Sequence, residues 1–341
     1  MRVLVTGGQG FIGSNLVRLI LAERPGWRVF NVDNYSYAGA GNNLEDLEKH
    51  ERYQAVRADV ADKPGIDEVF KDIEPEAVLH LAAESHVDRS ILESGPFVRT
   101  NVEGTRVMLE AARAAKTPRF VHVSTDEVYG DLGPTGKFTE ETPLAPNSPY
   151  SASKASSDLL ARAFFKTYKL PVVTTRCSNN YGPYQFPEKL IPLMISNALE
   201  ETPLPVYGDG KNARDWIHVE DHCRGILAAL EQGKPGEVYN FGGDAERENI
   251  FVVKRLLELL GKPESLIRYV TDRPGHDRRY AIDASKAKRE LGWAPRIGFE
   301  DGLARTVAWY RANEAWWKRL KDPKFADYYH RQYGAREARQ A

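Results

Sequence analysis

A tyrosine and a lysine four residues apart, Tyr150 and Lys154, form the pair in this sequence best suited to acid–base chemistry. Residues four apart on a helix lie on one face, and Ser148-Pro149 before them indicates an N-cap followed by proline in the first turn. A lysine cation beside a phenol stabilises the phenolate, which makes the tyrosine a usable base. The same spacing recurs at Tyr207 and Lys211, but the glycines between those two residues indicate a turn.

Two adjacent acids, Asp126 and Glu127, follow an apolar segment that ends at Ser124 and Thr125. The carboxyl ends of parallel strands are where doubly wound sheets bind ligands. Neighbouring carboxylates at such a place can divide acid and base roles if their surroundings separate their pKa values. The alternative is a solvated turn, which is the usual setting of an Asp-Glu pair.

A glycine-rich segment lies between the first apolar run and the first helical pattern. Gly7, Gly10 and Gly13 let the turn tighten and let backbone N–H groups approach a pyrophosphate at the positive end of a helix. Asp33 follows the second apolar run, about 20 residues after Gly13, an interval at which an acid reaches the ribose hydroxyls of a dinucleotide. A carboxylate there also repels a 2′-phosphate, so we predict NAD as the cofactor in preference to NADP. A structural glycine turn beside a helix-capping aspartate is the alternative.

Short apolar runs alternate with helical patterns through the first half of the chain. Such runs indicate strands that are buried on both faces of a parallel sheet, and right-handed crossovers then produce a doubly wound, Rossmann-type sheet. We therefore predict the α/β fold class. The predicted strands are 2–6, 29–32, 53–57, 77–81, 120–124 and 172–175.

The composition changes after about residue 178, where residues 179–187 are rich in turn-forming and aromatic residues. A helix predicted at 221–232 returns to the sheet domain, and loops and short helices are expected from residue 240 onward. We expect two domains and a frayed tail at 335–341. The first is a Rossmann domain of residues 1–178 plus about 213–241, and the second is a smaller, mostly C-terminal substrate-binding lobe of about 179–212 plus 242–341.

Composition excludes several classes of protein. The 341 residues include 47 Lys+Arg and 48 Asp+Glu, a balance that argues against a nucleic-acid partner. No apolar run approaches the ~18 residues of a membrane span, and Met1 leads directly into a strand-like segment with no room for a signal peptide. Cys177 and Cys223 are isolated, and no His/Cys/Asp cluster has metal-ligand spacing, so we predict no metal and a cytoplasmic location.

The glycine spacing and the Tyr150–Lys154 pair together resemble the short-chain dehydrogenase/reductase superfamily. This resemblance implies further cofactor contacts from segments that follow successive strands. Tyr150 and Lys154 would also contact the cofactor. The other residues implied are Phe11, Ile12, Asn34, Tyr35, Ser36, Asp59, Val60, Leu81, Ala82, Ala83, Ser85, Thr100 and Asn180.

Within that superfamily, the chain resembles the dTDP-glucose 4,6-dehydratase family from residue 1 to about 310. The motifs that carry the resemblance, in addition to the glycines and the Tyr150–Lys154 pair, are residues 33–39, 81–88, 100–105, 125–127, 214–219 and 273–277. The resemblance implies a lyase that oxidises C4 of dTDP-glucose with NAD, removes water across C5–C6 and returns the hydride to C6. The product is dTDP-4-keto-6-deoxyglucose.

The resemblance also implies a role for each catalytic side chain. Tyr150 takes the proton of the 4-hydroxyl, to which Thr125 hydrogen-bonds. Glu127 removes the C5 proton, and protonated Asp126 donates to the departing 6-hydroxyl. A 4-epimerase or a decarboxylase on the same fold is the nearest alternative, but neither needs this acid–base pair, and decarboxylases often carry Ser at the position of Asp126. A non-catalytic nucleotide sensor would have no reason to retain these residues.

Substrate contacts are implied mostly in the second half of the chain, where Arg214 and Arg273 offer guanidinium groups suited to a diphosphate. A local Arg214–Asp215 ion pair and a solvated Lys189 are the alternatives. The residues implied to contact substrate are Ser85, Thr125, Asn179, Glu188, Lys189, Leu190, Pro205, Tyr207, Arg214, Asn249, Arg273 and His276.

A homodimer is implied through helices at 100–115 and 150–168. Apolar side chains of the second helix would form an exposed stripe in a monomer. These are Leu159, Leu160, Phe164 and Phe165.

Overall fold

The computed structural model describes residues 1–36 and 42–334. Part of the 33–39 motif and the tail at 335–341, which was expected to fray, therefore lie outside the described residues. Within the described residues, the strands are β1 Arg2–Thr6, β2 Arg28–Asp33, β3 Tyr53–Arg57, β4 Ala77–His80, β5 Phe120–Thr125, β6 Val172–Cys177, β7 Asn179–Tyr181, β8 Leu204–Tyr207, β9 Ala213–His218, β10 Val238–Phe241, β11 Glu246–Glu248 and β12 Ile267–Val270.

Seven of these strands form one parallel sheet in the order β10-β6-β5-β4-β1-β2-β3. The strand order reverses between β1 and β4, which is the switch point of a doubly wound sheet. Every residue of β4, β5 and β6 is buried, as expected for strands covered on both faces. The predicted α/β Rossmann fold is confirmed, although the edge strand β10 was not predicted as a strand.

Helices cover both faces of the sheet. The helices of the described residues are α1 Phe11–Glu23, α2 Lys63–Ile73, α3 Val87–Leu92, α4 Gly95–Phe97, α5 Thr105–Ala114, α6 Pro149–Tyr168, α7 Leu190–Leu199, α8 Val219–Gln232, α9 Asn249–Leu260, α10 Ser285–Leu291, α11 Phe299–Ala312, α12 Glu314–Leu320 and α13 Pro323–Tyr329. The apolar side chains of α1 and α8 pack in one core, and those of α2, α5 and α6 pack in another. Burial of these two cores fixes the carboxyl ends of the strands relative to the helices that follow them.

A further core lies among α7, α9 and α11, with Tyr310 and Trp317 fully buried in it. The three-stranded sheet β11-β9-β7 and the pair β12-β8 contribute to it. The expectation of loops and short helices after residue 240 was wrong for α9 and α11, which have 12 and 14 residues. We propose, on the basis of this separate core, that the chain divides into the two domains expected from the sequence.

Candidate active site

The glycine turn between β1 and α1 is shaped by close backbone packing. Gly7 has φ +74°, and a Cβ atom there would lie 2.8 Å from the Ala82 backbone. A Cβ atom on Gly13 would lie 2.2 Å from the Gly7 carbonyl oxygen. Only glycine satisfies both positions. The first turn of α1 is therefore held close to the end of β4, with its N-terminus facing the space above the sheet.

Asp33 ends β2 beside this turn. Its carboxylate accepts hydrogen bonds from the backbone N–H of Gln9 at 2.9 Å and of Tyr35 at 2.8 Å. Burial raises the pKa of Asp33 above its ordinary value, while the two backbone hydrogen bonds oppose that rise. The structure thus places the predicted ribose-binding acid at the same strand ends as the glycine turn.

A cleft of about 1540 Å³, including the space open to solvent, runs along these strand ends. It brings together most of the predicted cofactor and catalytic residues and part of the predicted substrate set. The predicted residues that line it are Gly7, Gly10, Phe11, Ile12, Gly13, Asp33, Asn34, Ser36, Val60, Leu81, Ala82, Ala83, Ser85, Thr100, Thr125, Asp126, Glu127, Tyr150, Lys154, Asn179, Asn180, Glu188 and Lys189. Two predicted cofactor residues are not in this lining: Tyr35, and Asp59, which forms an ion pair with Arg99 at 2.7 Å.

Tyr150 and Lys154 project from the first turns of α6. The helix begins at a capping box in which Ser148 Oγ accepts from the backbone N–H of Ser151 at 3.1 Å. Lys154 is buried, and its Nζ donates to the Val123 carbonyl oxygen at 2.9 Å. Burial lowers the pKa of Lys154 to about 8, against a smaller opposing effect of Asp158. The ammonium group thus still carries a proton at neutral pH.

The Tyr150 phenol lies beside Thr125 and the two acids. Burial raises its pKa well above the ordinary value, and the charge of Glu127 adds to this effect. A hydrogen bond with Thr125 acts in the opposite direction. The side chains predicted to act on one sugar oxygen are therefore neighbours.

Asp126 and Glu127 begin a single 3₁₀ turn, Asp126–Tyr129, that follows β5. Thr125 caps this turn, because its Oγ1 accepts from the backbone N–H of Glu127 at 3.3 Å. Asp126 is only 1% exposed, so the solvated-turn alternative does not hold for it.

The two acids have different electrostatic surroundings. Burial raises the pKa of Asp126 well above its ordinary value, with further contributions from the charges of Glu127 and Asp215 and a smaller opposing effect of Arg214. Burial also raises the pKa of Glu127, but the nearby cations Arg273, Lys189 and Arg214 oppose that rise. Their surroundings thus favour a proton on Asp126 over a proton on Glu127.

At the far end of the cleft, Glu188 and Lys189 precede α7. Lys189 Nζ donates to the Ser85 carbonyl oxygen at 2.7 Å, so Lys189 is not simply solvated. Glu188 accepts from Arg89 at 2.8 Å. These contacts join the N-terminal end of α7 to the segment that follows β4.

Arg273 and Tyr207 meet at a buried aspartate, Asp88. Arg273 Nη1 donates to one carboxylate oxygen at 2.9 Å, and the Tyr207 hydroxyl donates to the other at 2.9 Å. His276 packs edge-on against the Tyr207 ring, with 5.9 Å between ring centroids. Asp88 was not among the residues predicted to bind substrate, yet it orients two that were.

Arg214 and Asp215 do not pair with each other in the described part of the chain. Arg214 donates to the Asp277 carbonyl oxygen at 2.9 Å, and Asp215 accepts from the backbone N–H of Ala245 at 2.7 Å. Leu190 begins α7, Pro205 lies on β8, and Asn249 begins α9. These residues, like Tyr207, Arg214, Arg273 and His276, are not in the lining of the cleft.

Several residues of the lining were not predicted. Val32, Ala58, Val123, Ser124, Cys177 and Ser178 lie at or next to strand ends, while Glu84, Gln185 and Phe186 lie in loops. The strand-end position was the signal that sequence reasoning did not use for the first group. No comparable local signal marks the second group, apart from the turn-rich composition of residues 179–187.

Comparison with known proteins places this chain in a family. The family model described as GDP-mannose 4,6 dehydratase matches residues 4–306. A dTDP-glucose 4,6-dehydratase of Xanthomonas campestris is 56% identical over 340 residues, which cover 94% of this chain and 96% of the relative. The chain belongs to the dTDP-glucose 4,6-dehydratase family.

Solved structures agree with that assignment. The dTDP-glucose 4,6-dehydratase of Streptomyces venezuelae, with NAD bound, is 51% identical with a TM-score of 0.91, and covers 94% of this chain and 100% of its own. The Bacillus anthracis dTDP-glucose 4,6-dehydratase in complex with NAD is 52% identical with a TM-score of 0.88 and the same coverage. A UDP-glucuronic acid 4-epimerase of Bacillus cereus shares the fold at a TM-score of 0.85, but only 31% identity, over 92% of this chain and 99% of its own. The predicted resemblance to this dehydratase family is confirmed.

Within residues 1–36 and 42–334, every helix is too short or too polar to span a membrane. No group of three or more His, Cys, Asp or Glu side chains there is arranged to hold a metal ion.

Proposed function

We propose that the cleft divides the dehydration of dTDP-glucose among Thr125, Asp126, Glu127, Tyr150 and Lys154. The chain is an NAD-dependent hydro-lyase of class EC 4.2.1.46, which converts dTDP-glucose to dTDP-4-keto-6-deoxyglucose. When bound, NAD supplies the acceptor for the C4 hydride and later the donor of a hydride to C6. The division of the proton transfers among side chains is the part that we propose.

The chain's own residues fit NAD at the glycine turn. A Cβ atom on Gly10 would lie 3.3 Å from the Gly7 carbonyl oxygen, so the first turn of α1 leaves a shallow space bounded by backbone. N–H groups at such a helix N-terminus favour a pyrophosphate. Asp33, next to this turn, suits the ribose hydroxyls and opposes a 2′-phosphate.

Tyr150 acts first, by taking the proton of the 4-hydroxyl. Lys154, which carries a proton at neutral pH, stabilises the phenolate form of Tyr150 that accepts this proton. Thr125 hydrogen-bonds to the same substrate oxygen and holds it toward Tyr150. A buried setting strengthens these electrostatic effects relative to water.

Glu127 and Asp126 then act on C5 and C6. Glu127, with three cations near it, is the better candidate for a carboxylate base that removes the C5 proton. Asp126, buried and kept protonated, donates to the 6-hydroxyl as it leaves, because hydroxide is a poor leaving group. The different surroundings of these two adjacent carboxyls are the observation that carries the proposal.

Cations and polar groups beyond the acids suit the nucleotide diphosphate. Arg214 and Arg273 both lie close enough to Glu127 for their charges to affect its pKa, and guanidinium groups bind phosphate oxygens in pairs. The Asn179 and Asn249 Oδ1 atoms are buried without a hydrogen-bond partner in the described part of the chain. Buried polar atoms of this kind are expected where a polar ligand completes the site.

The proposal is tested by blocking each proton transfer separately. Asp126→Asn and Glu127→Gln should still oxidise C4, because Tyr150 and Lys154 are unchanged, but turnover should fall about 10²–10⁴-fold, the usual effect of removing a general acid or base. Tyr150→Phe should instead slow the C4 oxidation itself. Single-turnover absorbance of the reduced nicotinamide measures the first step, and the 4-keto product measures the whole reaction.

Solvent exchange distinguishes the two acids from each other. In deuterated water, Glu127→Gln should exchange the C5 position more slowly than Asp126→Asn, because only the former lacks the C5 base. If both acid variants produced the 4-keto-6-deoxy sugar at wild-type rates, the roles proposed for these residues would be wrong. Epimerisation at C4 without dehydration would then be the better description of the chemistry.

We also propose a homodimer and a cytoplasmic location. The exposed side chains of Leu92, Val98 and Leu159 form apolar surface on α6 and on the neighbouring segments that pack against it. Burial of such surface favours association. Both cysteines are free and buried, which suits a reducing compartment.

A further inference from the structure

A buried arginine joins the two elements that carry the catalytic side chains. Arg176 lies on β6 and is 6% exposed. Its Nε donates to Asp158 Oδ2 at 2.8 Å, and its Nη1 donates to the Tyr129 hydroxyl oxygen at 2.9 Å. One guanidinium group therefore contacts both α6 and the 3₁₀ turn Asp126–Tyr129.

Asp158 is the contact on the helix side. It lies one helical turn beyond Lys154 and two beyond Tyr150, so all three share one face of α6. Asp158 is buried, and its second oxygen lies 3.2 Å from His122 Nε2 of β5. This position fixes the helix on the sheet just below the catalytic pair.

Tyr129 is the contact on the turn side, two residues after Glu127. Its hydroxyl donates to Asn240 Oδ1 at 2.9 Å, and its ring stacks on Phe138 with 5.0 Å between ring centroids. The guanidinium carbon of Arg176 also lies 4.8 Å from the centre of the Tyr129 ring. The hydroxyl thus links the turn to β6 and β10. The contacts of the Tyr129 ring do not depend on the hydroxyl.

Burial of an ion pair is a poor way to gain stability, because desolvation offsets most of the attraction. A planar guanidinium with several fixed donors is, by contrast, well suited to hold two groups in one geometry. The catalytic groups on α6 and on the turn act on adjacent carbons of one sugar, so the relative placement of the two elements matters. A displacement of about 1 Å can slow an enzymatic step about 10²-fold.

We propose that Arg176 is a positioning residue that holds the Asp126–Glu127 turn at a fixed distance from the Tyr150–Lys154 helix through Tyr129 and Asp158. This inference rests on the proposed function of the catalytic side chains on these two elements. It predicts that release of the turn alone impairs proton removal at C5 and loss of water, while C4 oxidation from α6 continues.

Tyr129→Phe is the informative variant, because it removes the hydroxyl and keeps the ring. We expect the C5 exchange rate and product formation to fall about 10- to 100-fold, while the single-turnover rate of C4 oxidation stays within about twofold of wild type. Arg176→Ala is less useful, since it leaves Asp158 buried without its cation and favours unfolding. Thermal unfolding of Tyr129→Phe verifies that the fold is retained.

Tyr239→Phe is the matched control. Tyr239 is also fully buried, and its hydroxyl accepts from Lys234 N at 3.2 Å and donates to Glu290 at 3.3 Å, so within the described residues this hydroxyl is bonded to neither catalytic element. Both half-reactions should be unchanged in this variant. An equal effect of Tyr129→Phe on C4 oxidation and C5 exchange, or no effect on either, would overturn the positioning role.

The positioning role of Arg176 and the proposed roles of the two acids can be rejected independently of each other. If Asp126→Asn and Glu127→Gln leave dehydration unaffected, the proposed roles of the acids fail, whatever Tyr129→Phe does. If the acid variants behave as proposed and Tyr129→Phe does not, only the positioning role of Arg176 fails.

Discussion

Asp126 illustrates how burial and neighbouring like charges can prepare a side chain for proton donation. Its carboxyl lies beside Glu127 and near Asp215, so both desolvation and like charge favour the protonated form. Its Oδ2 has no hydrogen-bond partner in the described part of the chain. Ionisation of this buried carboxyl destabilises the folded protein. The protonation state of Asp126 can therefore be tested from the stability of the protein, without a measurement of turnover.

The pH dependence of stability tests whether Asp126 is protonated in the folded protein. Unfolded Asp126 ionises near its ordinary pKa of 3.8, whereas the folded group keeps its proton to a much higher pH. Between those two values the unfolded state binds fewer protons, so the free energy of unfolding falls as pH rises. Asp126→Asn lacks this titration, and its stability relative to wild type should therefore increase from about pH 5 to about pH 8. Denaturant unfolding at both pH values measures the difference.

Asp72→Asn is the control, because Asp72 is an exposed aspartate on α2. Its effect on stability should be small, as for most surface substitutions. If the stability of Asp126→Asn relative to wild type were the same at both pH values, Asp126 would be ionised in the folded protein over this range, and the acid role would have to be reassigned.

The site residues that could be predicted from the sequence are those whose chemistry is local. Tyr150 with Lys154, and Asp126 with Glu127, are neighbours in the chain, and each pair shares one element. Asp88 and Arg176 escaped a functional assignment because their meaning depends on partners far away in sequence, such as Arg273 and Asp158. Residue type alone does not indicate which charged groups will be buried together.

The glycine turn before α1 is the element in which backbone geometry and binding are most closely connected. Gly7 needs a left-handed conformation and touches Ala82, whereas Gly10 has φ −72° and meets only the Gly7 carbonyl oxygen, at 3.3 Å. A methyl group at Gly7 therefore strains the fold, while one at Gly10 mainly enters the cleft. Substitutions at Gly7 and Gly10 therefore test the structural role and the binding role of the turn separately.

Gly7→Ala should be destabilised by about 1–3 kcal/mol, the cost of holding a residue other than glycine in this conformation, and should also bind NAD poorly. Gly10→Ala should unfold close to wild type yet bind NAD at least about tenfold more weakly, which corresponds to about 1.4 kcal/mol. Thermal unfolding and calorimetric titration of NAD-free enzyme measure the two effects. Unchanged NAD affinity in Gly10→Ala would show that the pyrophosphate does not contact this turn.

Strands were predictable from the sequence where their hydrophobic patterns were strong. Six strands of the main sheet were predicted from the sequence. Five of them, β1, β2, β4, β5 and β6, are largely buried, and strands covered on both faces carry apolar runs, whereas the edge strand β3 is mostly exposed. β10 was not predicted, since Val238-Tyr239-Asn240-Phe241 is short and holds a polar residue at a buried position. The Asn240 side chain hydrogen-bonds to the Tyr129 hydroxyl and to the Phe138 carbonyl oxygen, contacts that no local pattern reveals.

The whole molecule brings distant segments to the substrate end of the cleft. Gln332, near the end of the described residues, donates to the Tyr207 hydroxyl oxygen at 2.7 Å. The guanidinium carbon of Arg89 lies 4.1 Å from the centre of the Tyr328 ring, and Arg89 pairs with Glu188. Sequence reasoning gave residues 311–341 no part in the site, because contacts between segments more than 100 residues apart leave no local pattern.

The surface of the molecule also corrects the predicted dimer stripe. Phe164 is buried, and Leu160 and Phe165 are partly buried, so Leu159 alone of the four predicted side chains is strongly exposed, at 57%. Leu92 and Val98, which are also more than half exposed, extend the apolar surface beyond α6. The proposed interface therefore includes α3 and the segment that follows α4.

Leu159→Asp tests whether this surface joins two copies of the chain. A charged group at the centre of an apolar interface is left without a partner and disfavours association, so the variant should be monomeric at micromolar concentration while wild type has twice the mass of one chain. Phe251→Asp is the control, because Phe251 is 43% exposed on α9, away from α6, and should leave the dimer intact. Light scattering measures all three masses. A wild-type mass near that of one chain, or dissociation caused equally by both substitutions, would reject α6 as the basis of the interface.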